Sequence, residues 1–291
     1  MTSEKLQELS KIIASGEATL FTGAGFSSDA RDTAGNGLPD SAQMVRELWP
    51  LVFGDDPPDD STLADLYDVA LLRAPERLRD YMTSRLRIGD GELPRSYAAW
   101  FSGPWRRIYT LNVDDLEVAV ARQFELPRRL RSLSALSDGP SSESSELDVI
   151  HLNGIAGDDP RQVTFSTMQY AARLCMRDRH YEQLIEDLRA SPFVFVGTTL
   201  DEAVLWQHLE LDRQMTGNTK RPHSFLISRA LTRARQMLLS HHRIHWIQAT
   251  TCEIADDVLS SLLVAAGIRE TEPMQHLVDR HPIDAGGPRR G

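Results

Sequence analysis

A glycine-rich turn follows the first apolar run of the chain. Residues 18–22 are apolar or β-branched, and Gly23, Ala24 and Gly25 come directly after them. Glycine lets the main chain turn sharply and approach a pyrophosphate closely, while the next helix directs its N-terminus at the phosphates. The third glycine of the dinucleotide fingerprint is absent, because Ser28 stands there. The pattern indicates a turn whose main-chain amides near Gly23 and Gly25 hold a diphosphate, and a tight strand-to-helix turn without a ligand is the alternative.

Two further groups of polar residues follow later apolar runs. Asn112 and Asp114 come after residues 107–111, and His151 and Asn153 lie at the end of the run over 148–152. The carboxyl ends of parallel strands share one edge of a sheet, so we expect these side chains near the glycine turn. An asparagine there can orient a hydroxyl group or a water molecule, or it can cap the following helix.

Short apolar runs alternate with helical patterns along the chain, which predicts a parallel sheet covered by helices on both faces. Strands are expected at 18–22, 107–111, 148–152, 193–197, 224–227 and 244–248. Helices are expected at about 114–125, 201–215, 230–240 and 253–266. The fold class is therefore α/β, with a Rossmann-like sheet.

Two stretches interrupt this alternation. Residues 40–105 and 167–190 have helical patterns without strands between them, and we expect them to form a helical cap over the mouth of the sheet. Residues 137–146 are expected to form a polar loop. We expect one domain over residues 1–269 that includes these insertions, followed by a polar tail or linker at 270–291.

Composition narrows the class of protein. The formal net charge of −10 argues against nucleic-acid binding, which needs clustered basic residues, and the Arg-rich segments at 106–107 and 128–131 are interpreted as solvated faces. No apolar run approaches the roughly 20 residues that cross a bilayer, so no membrane partner is expected. The two cysteines, Cys175 and Cys252, cannot form a four-cysteine zinc site. We expect a cytoplasmic protein without zinc.

Five segments in order along the chain resemble the sirtuin family. Gly23 to Ser27 is similar to the sirtuin phosphate loop, and residues 37–40 (GLPD) to the segment behind it. Residues 109–117 (YTLNVDDLE), 149–154 (VIHLNG) and 195–201 (FVGTTLD) resemble, in turn, the Thr-Gln-Asn motif, the strand that ends in His-Gly, and the Gly-Thr-Ser segment. Each lies at the carboxyl end of a predicted strand, the edge at which open α/β sheets bind ligands.

The resemblance implies an NAD site and a role for each matching residue. Asn112 would position water or a ribose hydroxyl, and Asp114 would shape the nicotinamide side of the pocket. The implied NAD-binding residues are Gly23, Ala24, Gly25, Ser27, Pro39, Asp40, Gly197, Thr198, Thr199, Asp201 and Ser228.

One position departs from the family. Asn153 stands where catalytic sirtuins and their NAD-hydrolysing relatives have a histidine that acts as the general base, and an amide cannot accept a proton at neutral pH. His151 lies two residues upstream on the same strand face and is a candidate substitute, although a histidine on a strand is more often a packed residue.

Three functions follow from the resemblance. The first is an NAD hydrolase that releases nicotinamide and ADP-ribose, as the homo-oligomeric effector of a bacterial anti-phage system with a sensor or ATPase partner. The second is an NAD or ADP-ribose sensor or scaffold whose catalysis is impaired by Asn153. The third, protein deacylation, is opposed by the missing cysteine quartet and the missing histidine.

Overall fold

The computed structural model describes residues 3–134, 145–174, 179–201 and 221–268, with the pairs 205–206, 209–210 and 213–214. Parts of the expected loop at 137–146 and helix at 201–215, together with Cys175 and the whole tail from 270, lie outside these residues. Glu146, at the end of the expected loop, begins a strand instead.

Seven parallel strands form one open sheet in the order β3-β4-β2-β1-β5-β6-β7. Their bounds are β1 Thr19–Thr22, β2 Ile108–Thr110, β3 Arg129–Ser134, β4 Glu146–His151, β5 Phe193–Val196, β6 Ser224–Ser228 and β7 Ile244–Gln248. The chain extends the sheet from β1 to one side through β2, β4 and β3, and then to the other side through β5, β6 and β7. The junction of β1 and β5 is thus the topological switch point, where α/β sheets form a crevice.

Helices cover both faces of this sheet, as its α/β character requires. In the part of the chain that the structure describes, they are α1 Ser3–Ala14, α2 Ser41–Phe53, α3 Leu63–Arg73, α4 Pro75–Arg85, α5 Arg95–Ser102, α6 Leu116–Gln123, α7 Thr167–Leu174, α8 Arg179–Ala190, α9 Arg233–His241, α10 Thr251–Ile254 and α11 Ser260–Ala265. A π-helical segment, Ala255–Leu259, joins α10 to α11. Short 3-10 turns lie at Ala24–Ser27 and Pro160–Gln162.

The strands alternate their side chains between two apolar layers. Leu20 and Val194 pack with α1, α5 and α6, whereas Phe21 and Phe195 on the neighbouring positions pack against α8. Successive side chains of a strand point to opposite faces, so a strand covered on both sides must be apolar at every position. This is why β1 and β5 are completely buried.

The helices between 41 and 85 share a third apolar cluster of their own. Leu48, Tyr67 and Met82 form its centre. Val113, after β2, and Val163, after the β4 loop, belong to the same cluster. These contacts attach α2, α3 and α4 to the carboxyl edge of the sheet.

The strand β3 was not expected from the sequence. Its segment, RLRSLS, was interpreted as part of a solvated basic face, but it pairs in parallel with β4 along its whole length. β3 lies at the edge of the sheet and buries only Leu133, so its residues lack the apolar character of a central strand. Pairing with β4, rather than side-chain burial, holds it in the sheet.

Candidate functional site

A cleft of about 1020 Å³ lies along the carboxyl edge of the sheet. Its walls come from the loops after β1, β2, β4, β5, β6 and β7 and from α7. Of the residues proposed from sequence, Gly23, Ala24, Gly25, Asn112, Asn153, Gly197, Thr198, Thr199 and Ser228 line it. Ser27, Pro39, Asp40, Asp114, His151 and Asp201 do not line it.

The glycine turns after β1 and β5 touch at the centre of the cleft. The N–H of Gly23 donates to the carbonyl of Val196, and the N–H of Gly25 donates to the carbonyl of Gly197. A Cβ on Gly23 would lie 2.8 Å from the carbonyl oxygen of Gly197. Glycine is therefore required for contact between the loops, and the Gly23 and Gly25 amides already have acceptors within the protein.

Asn112 lies directly after β2, and its side chain is held from one side. Its Nδ2 donates to Ser27 Oγ at 2.8 Å, and its main-chain N–H donates to Thr110 Oγ1 at 3.0 Å. No residue in the described part of the chain donates to Asn112 Oδ1. Asn112 thus contributes an amide oxygen of fixed orientation to the cleft.

The alternative that Asn112 caps the following helix is wrong. The N–H of Leu116, in the first turn of α6, is accepted by Asp114 Oδ1 at 3.2 Å instead. Asp114 also accepts a hydrogen bond from Ser27. Burial raises the pKa of Asp114 to about 6, although the Ser27 hydroxyl opposes the rise. Asp114 therefore supports the cleft from beneath and does not form its wall.

Asn153 enters the cleft from the loop after β4. Its Nδ2 donates to the carbonyl of Leu111 at 3.1 Å, and its Oδ1 accepts from the Tyr170 hydroxyl at 3.2 Å. Tyr170 belongs to α7, so this helix both closes the cleft and fixes the Asn153 amide. Asn153 can orient a ligand hydroxyl but cannot take its proton.

His151 does not share the cleft with Asn153. The ring is 1% exposed, its Nδ1 lies 2.9 Å from the main-chain oxygen of Asn112, and its Nε2 lies 3.1 Å from Glu117 Oε1. Burial alone would lower the pKa of His151, but the Glu117 carboxylate, the Asn112 carbonyl and Asp114 together raise the pKa above its usual value. Its two nitrogens are occupied inside the protein, so the idea that His151 replaces the missing base is corrected.

The remaining predicted residues at the edge of the site have structural partners. Asp40 caps α2 by accepting from the N–H of Gln43. Asp201 pairs with Arg235 of α9, whose guanidinium also donates to the carbonyl oxygens of Thr199 and Leu200. These contacts hold the loop after β5, in which Leu200 adopts a positive φ of 54°.

Several residues of the cleft were not expected from the sequence. Asp29, Ser41, Arg229 and the segment 250–252 line it together with Tyr170. Arg229 is the one basic residue among the described residues of the wall, and its guanidinium has no partner in the described part of the chain. Its position directly after β6 was the available signal, because the same rule that selected Asn112 applies to every strand end.

One match to a known family bears on this arrangement. Residues 106–247, from just before β2 to β7, match the family model described as a SIR2-like domain. This match supports a sirtuin-like domain over these residues. The match includes the motifs at 109–117, 149–154 and 195–201, whereas the glycine turn after β1 lies before it. No curated protein matches the chain.

Two general features of the described residues bear on ligands and on the membrane. Among the described residues, no group of three or more His, Cys, Asp or Glu side chains could hold a metal ion. The same residues include no helix that is long and apolar enough to cross a bilayer. Among the described residues that line the cleft, the polar side chains are amides, hydroxyls, one guanidinium, one carboxylate and the Cys252 thiol. All of these except the thiol are groups that bind ribose or phosphate.

Proposed function

We propose that this chain is an NAD hydrolase that releases nicotinamide and ADP-ribose, acting as the effector of a bacterial anti-phage system. The observation that carries the hydrolase proposal is the fixed amide of Asn112, whose oxygen faces a cleft in a sirtuin-like domain. The defence role, assembly into oligomers and a sensor or ATPase partner rest on the resemblance to bacterial effectors alone.

The layout of the cleft suits a dinucleotide. Asn112 follows β2 and Arg229 follows β6, and the sheet order places β1 and β5 between these two strands. Three strand spacings of about 4.8 Å separate the two residues by roughly 14 Å, a span that suits two ribosyl groups joined by a diphosphate. We assign the nicotinamide ribose to the Asn112 end, and the adenosine ribose with its adjoining phosphate to the Arg229 end.

We place the diphosphate beside the two glycine turns. The N–H groups of Gly23 and Gly25 do not donate to it, because they already donate to main-chain carbonyls of the protein. Arg229 and the Ser28 hydroxyl are the groups that we assign to its charge, because a guanidinium binds phosphate oxygens through paired N–H donors. The sequence-based assignment of the glycine amides to the diphosphate is revised accordingly.

Hydrolysis at this site requires little acid catalysis. The bond between ribose C1′ and the nicotinamide nitrogen breaks with its electron pair moving to the nitrogen, which neutralises the pyridinium. A water oxygen bonds to C1′, and the water proton passes to solvent. Asn112 Oδ1 can accept from that water or from a ribose hydroxyl and so orient the attack on the developing cation.

Asn153 favours a second candidate, an NAD or ADP-ribose sensor without turnover. Its amide oxygen already accepts from Tyr170, and an amide does not act as a base. Loss of a general base costs about 10²–10⁴-fold in rate. We therefore propose slow hydrolysis for the chain on its own.

The two candidates are separated by incubating the full chain with NAD, alone and with the product of the neighbouring gene, and following nicotinamide by chromatography. Turnover that falls at least about 100-fold in Asn112→Ala but persists in the exposed Asn36→Ala supports the hydrolase. ADP-ribose binding by calorimetry, with turnover only in Asn153→His, supports the sensor. A chain with neither binding nor turnover overturns both.

A further inference from the structure

A chain of buried hydrogen bonds lies beneath Asn112. The Ser132 hydroxyl of β3 donates to Glu117 Oε1, the same oxygen that faces His151 Nε2 at 3.1 Å. On its other side, His151 Nδ1 lies 2.9 Å from the main-chain oxygen of Asn112. Glu117 and His151 are buried titratable groups for which the proposed hydrolysis has no direct use.

The partners of His151 determine its hydrogen positions. A main-chain carbonyl only accepts, so Nδ1 carries a hydrogen, and a carboxylate also accepts, so Nε2 carries another. An imidazole that donates from both nitrogens is an imidazolium. Burial raises the pKa of Glu117, but the facing His151 and the Ser132 hydroxyl together lower it by more, so the pKa of Glu117 is below its usual value and the group is a carboxylate. Asp114 is the other carboxyl whose charge favours the imidazolium.

The contact with His151 completes the restraint of Asn112. Thr110 holds its main-chain N–H, Ser27 holds its side-chain Nδ2, and His151 holds its main-chain oxygen. With these three atoms fixed, the amide plane has one orientation, and Oδ1 remains directed to the ligand. Without His151, the peptide that follows Asn112 loses the side-chain donor that holds its carbonyl and can rotate.

We propose that His151, held by Glu117, is a positioning residue that fixes Asn112 for the nicotinamide ribose. This inference rests on the proposed NAD site and deepens it, because it gives the chain's own histidine a function other than that of the missing base. The residue acts through Asn112, since it does not line the cleft.

Two amide variants separate positioning from general support of the fold. Asparagine places a donor near the position of Nδ1, so His151→Asn keeps the hydrogen bond to the Asn112 carbonyl and loses the one to Glu117. Glutamine places its donor near the position of Nε2, so His151→Gln keeps the hydrogen bond to Glu117 and loses the one to the Asn112 carbonyl. Both remove the same charge. We expect His151→Gln to lower kcat for NAD cleavage about 10-fold or more below His151→Asn, with similar KM. The Tm of His151→Gln should be no lower than that of His151→Asn, because glutamine keeps a partner for the buried Glu117 carboxylate.

Equal kcat losses in the two variants, or a loss confined to KM, would overturn the proposal. A second measurement does not depend on turnover: nitrogen NMR of the full chain, with His151 assigned from its variants. We expect both ring nitrogens to be protonated between pH 6 and 8, and the Asn112 side-chain amide signal to shift in His151→Gln and not in His151→Asn. A neutral ring, or an unmoved Asn112 signal, contradicts the inference even if the wild-type chain proves inactive on NAD.

Discussion

At the scale of single residues, Asp114 holds a carboxyl group where charge is unfavourable. The side chain is 7% exposed and lies under the cleft, and burial raises its pKa to about 6. The nearby Glu117 carboxylate adds to this rise, whereas Ser27 and His151 reduce it. Ionisable groups with perturbed pKa values cluster at functional sites, where stability is often lower than the fold would allow.

Replacing Asp114 by asparagine should therefore stabilise the protein at alkaline pH. The pKa of this carboxyl is higher in the folded protein than its unfolded value of 3.8, so the folded protein favours the protonated form. Its contribution to stability is complete below pH 3.8 and is lost as the pH rises through about 6. A difference of about two pH units corresponds to about 3 kcal/mol. We expect Asp114→Asn to raise the free energy of unfolding by up to that amount at pH 8, measured in urea.

The gain should shrink as the pH falls from 6 to 4, since the wild-type carboxyl is then protonated in the folded protein. The exposed Asp55→Asn changes the net charge equally and serves as the control. A gain that increases toward acidic pH would show that the Asp114 charge is not disfavoured by folding.

At the scale of elements, the cleft depends on direct contact between the turns after β1 and β5. Gly197 has a φ of +66°, and a Cβ placed on it would lie 2.1 Å from the main-chain nitrogen of Phe26. Main-chain atoms cannot yield in the way that the end of a flexible side chain can. The switch point of the sheet is thus formed by glycine packing, and Arg235 fixes the following carbonyls from α9.

Gly197→Ala should separate these two turns. Gly267 has a similar φ of +72°, but no atom lies within 4 Å of the position that a methyl group would take there, so Gly267→Ala isolates the conformational cost of about 1–2 kcal/mol. We expect Gly197→Ala to cost at least about 2 kcal/mol more, by analogy with overpacked sites, and to abolish ADP-ribose binding. Equal costs for the two variants in urea unfolding would contradict direct contact between the turns.

At the scale of the whole molecule, the cleft lies at one edge of the sheet, and the cluster of α2, α3 and α4 is attached to that same edge. The opposite edge carries none of the lining residues among those the structure describes. A ligand in the cleft should therefore order segments that are distant in sequence but end neighbouring strands.

Hydrogen exchange with and without ADP-ribose tests this distribution. We expect slower exchange at residues 26–29, 112–115, 198–201, 228–230 and 249–252, because each lies in or beside a loop of the cleft. Residues 15–18 and 221–223, before β1 and β6 at the amino edge, should not change. Protection at the amino edge, or in only one strand-end loop, would place the ligand elsewhere.

The sequence by itself determined the strands that are buried on both faces and the edge at which they carry polar residues. Apolar runs such as 193–196 have no other stable place than the centre of a covered sheet, and residues after such runs must meet at one edge. Asn112, Asn153 and Gly197 were found in this way. The edge strand β3 was not, because pairing rather than apolar burial defines it.

Only the tertiary structure decided which polar atoms remain available in the cleft. The hydroxyl of Ser27, 85 positions away in sequence, accepts from the side-chain nitrogen of Asn112. Glu117 holds the His151 ring in the protein interior, and the carbonyls of Val196 and Gly197 accept from the glycine N–H groups. A sequence pattern specifies where a donor or acceptor lies along a strand. Whether that atom is free for a ligand depends on partners brought close by other strands, and those partners are set by the packing of the whole sheet.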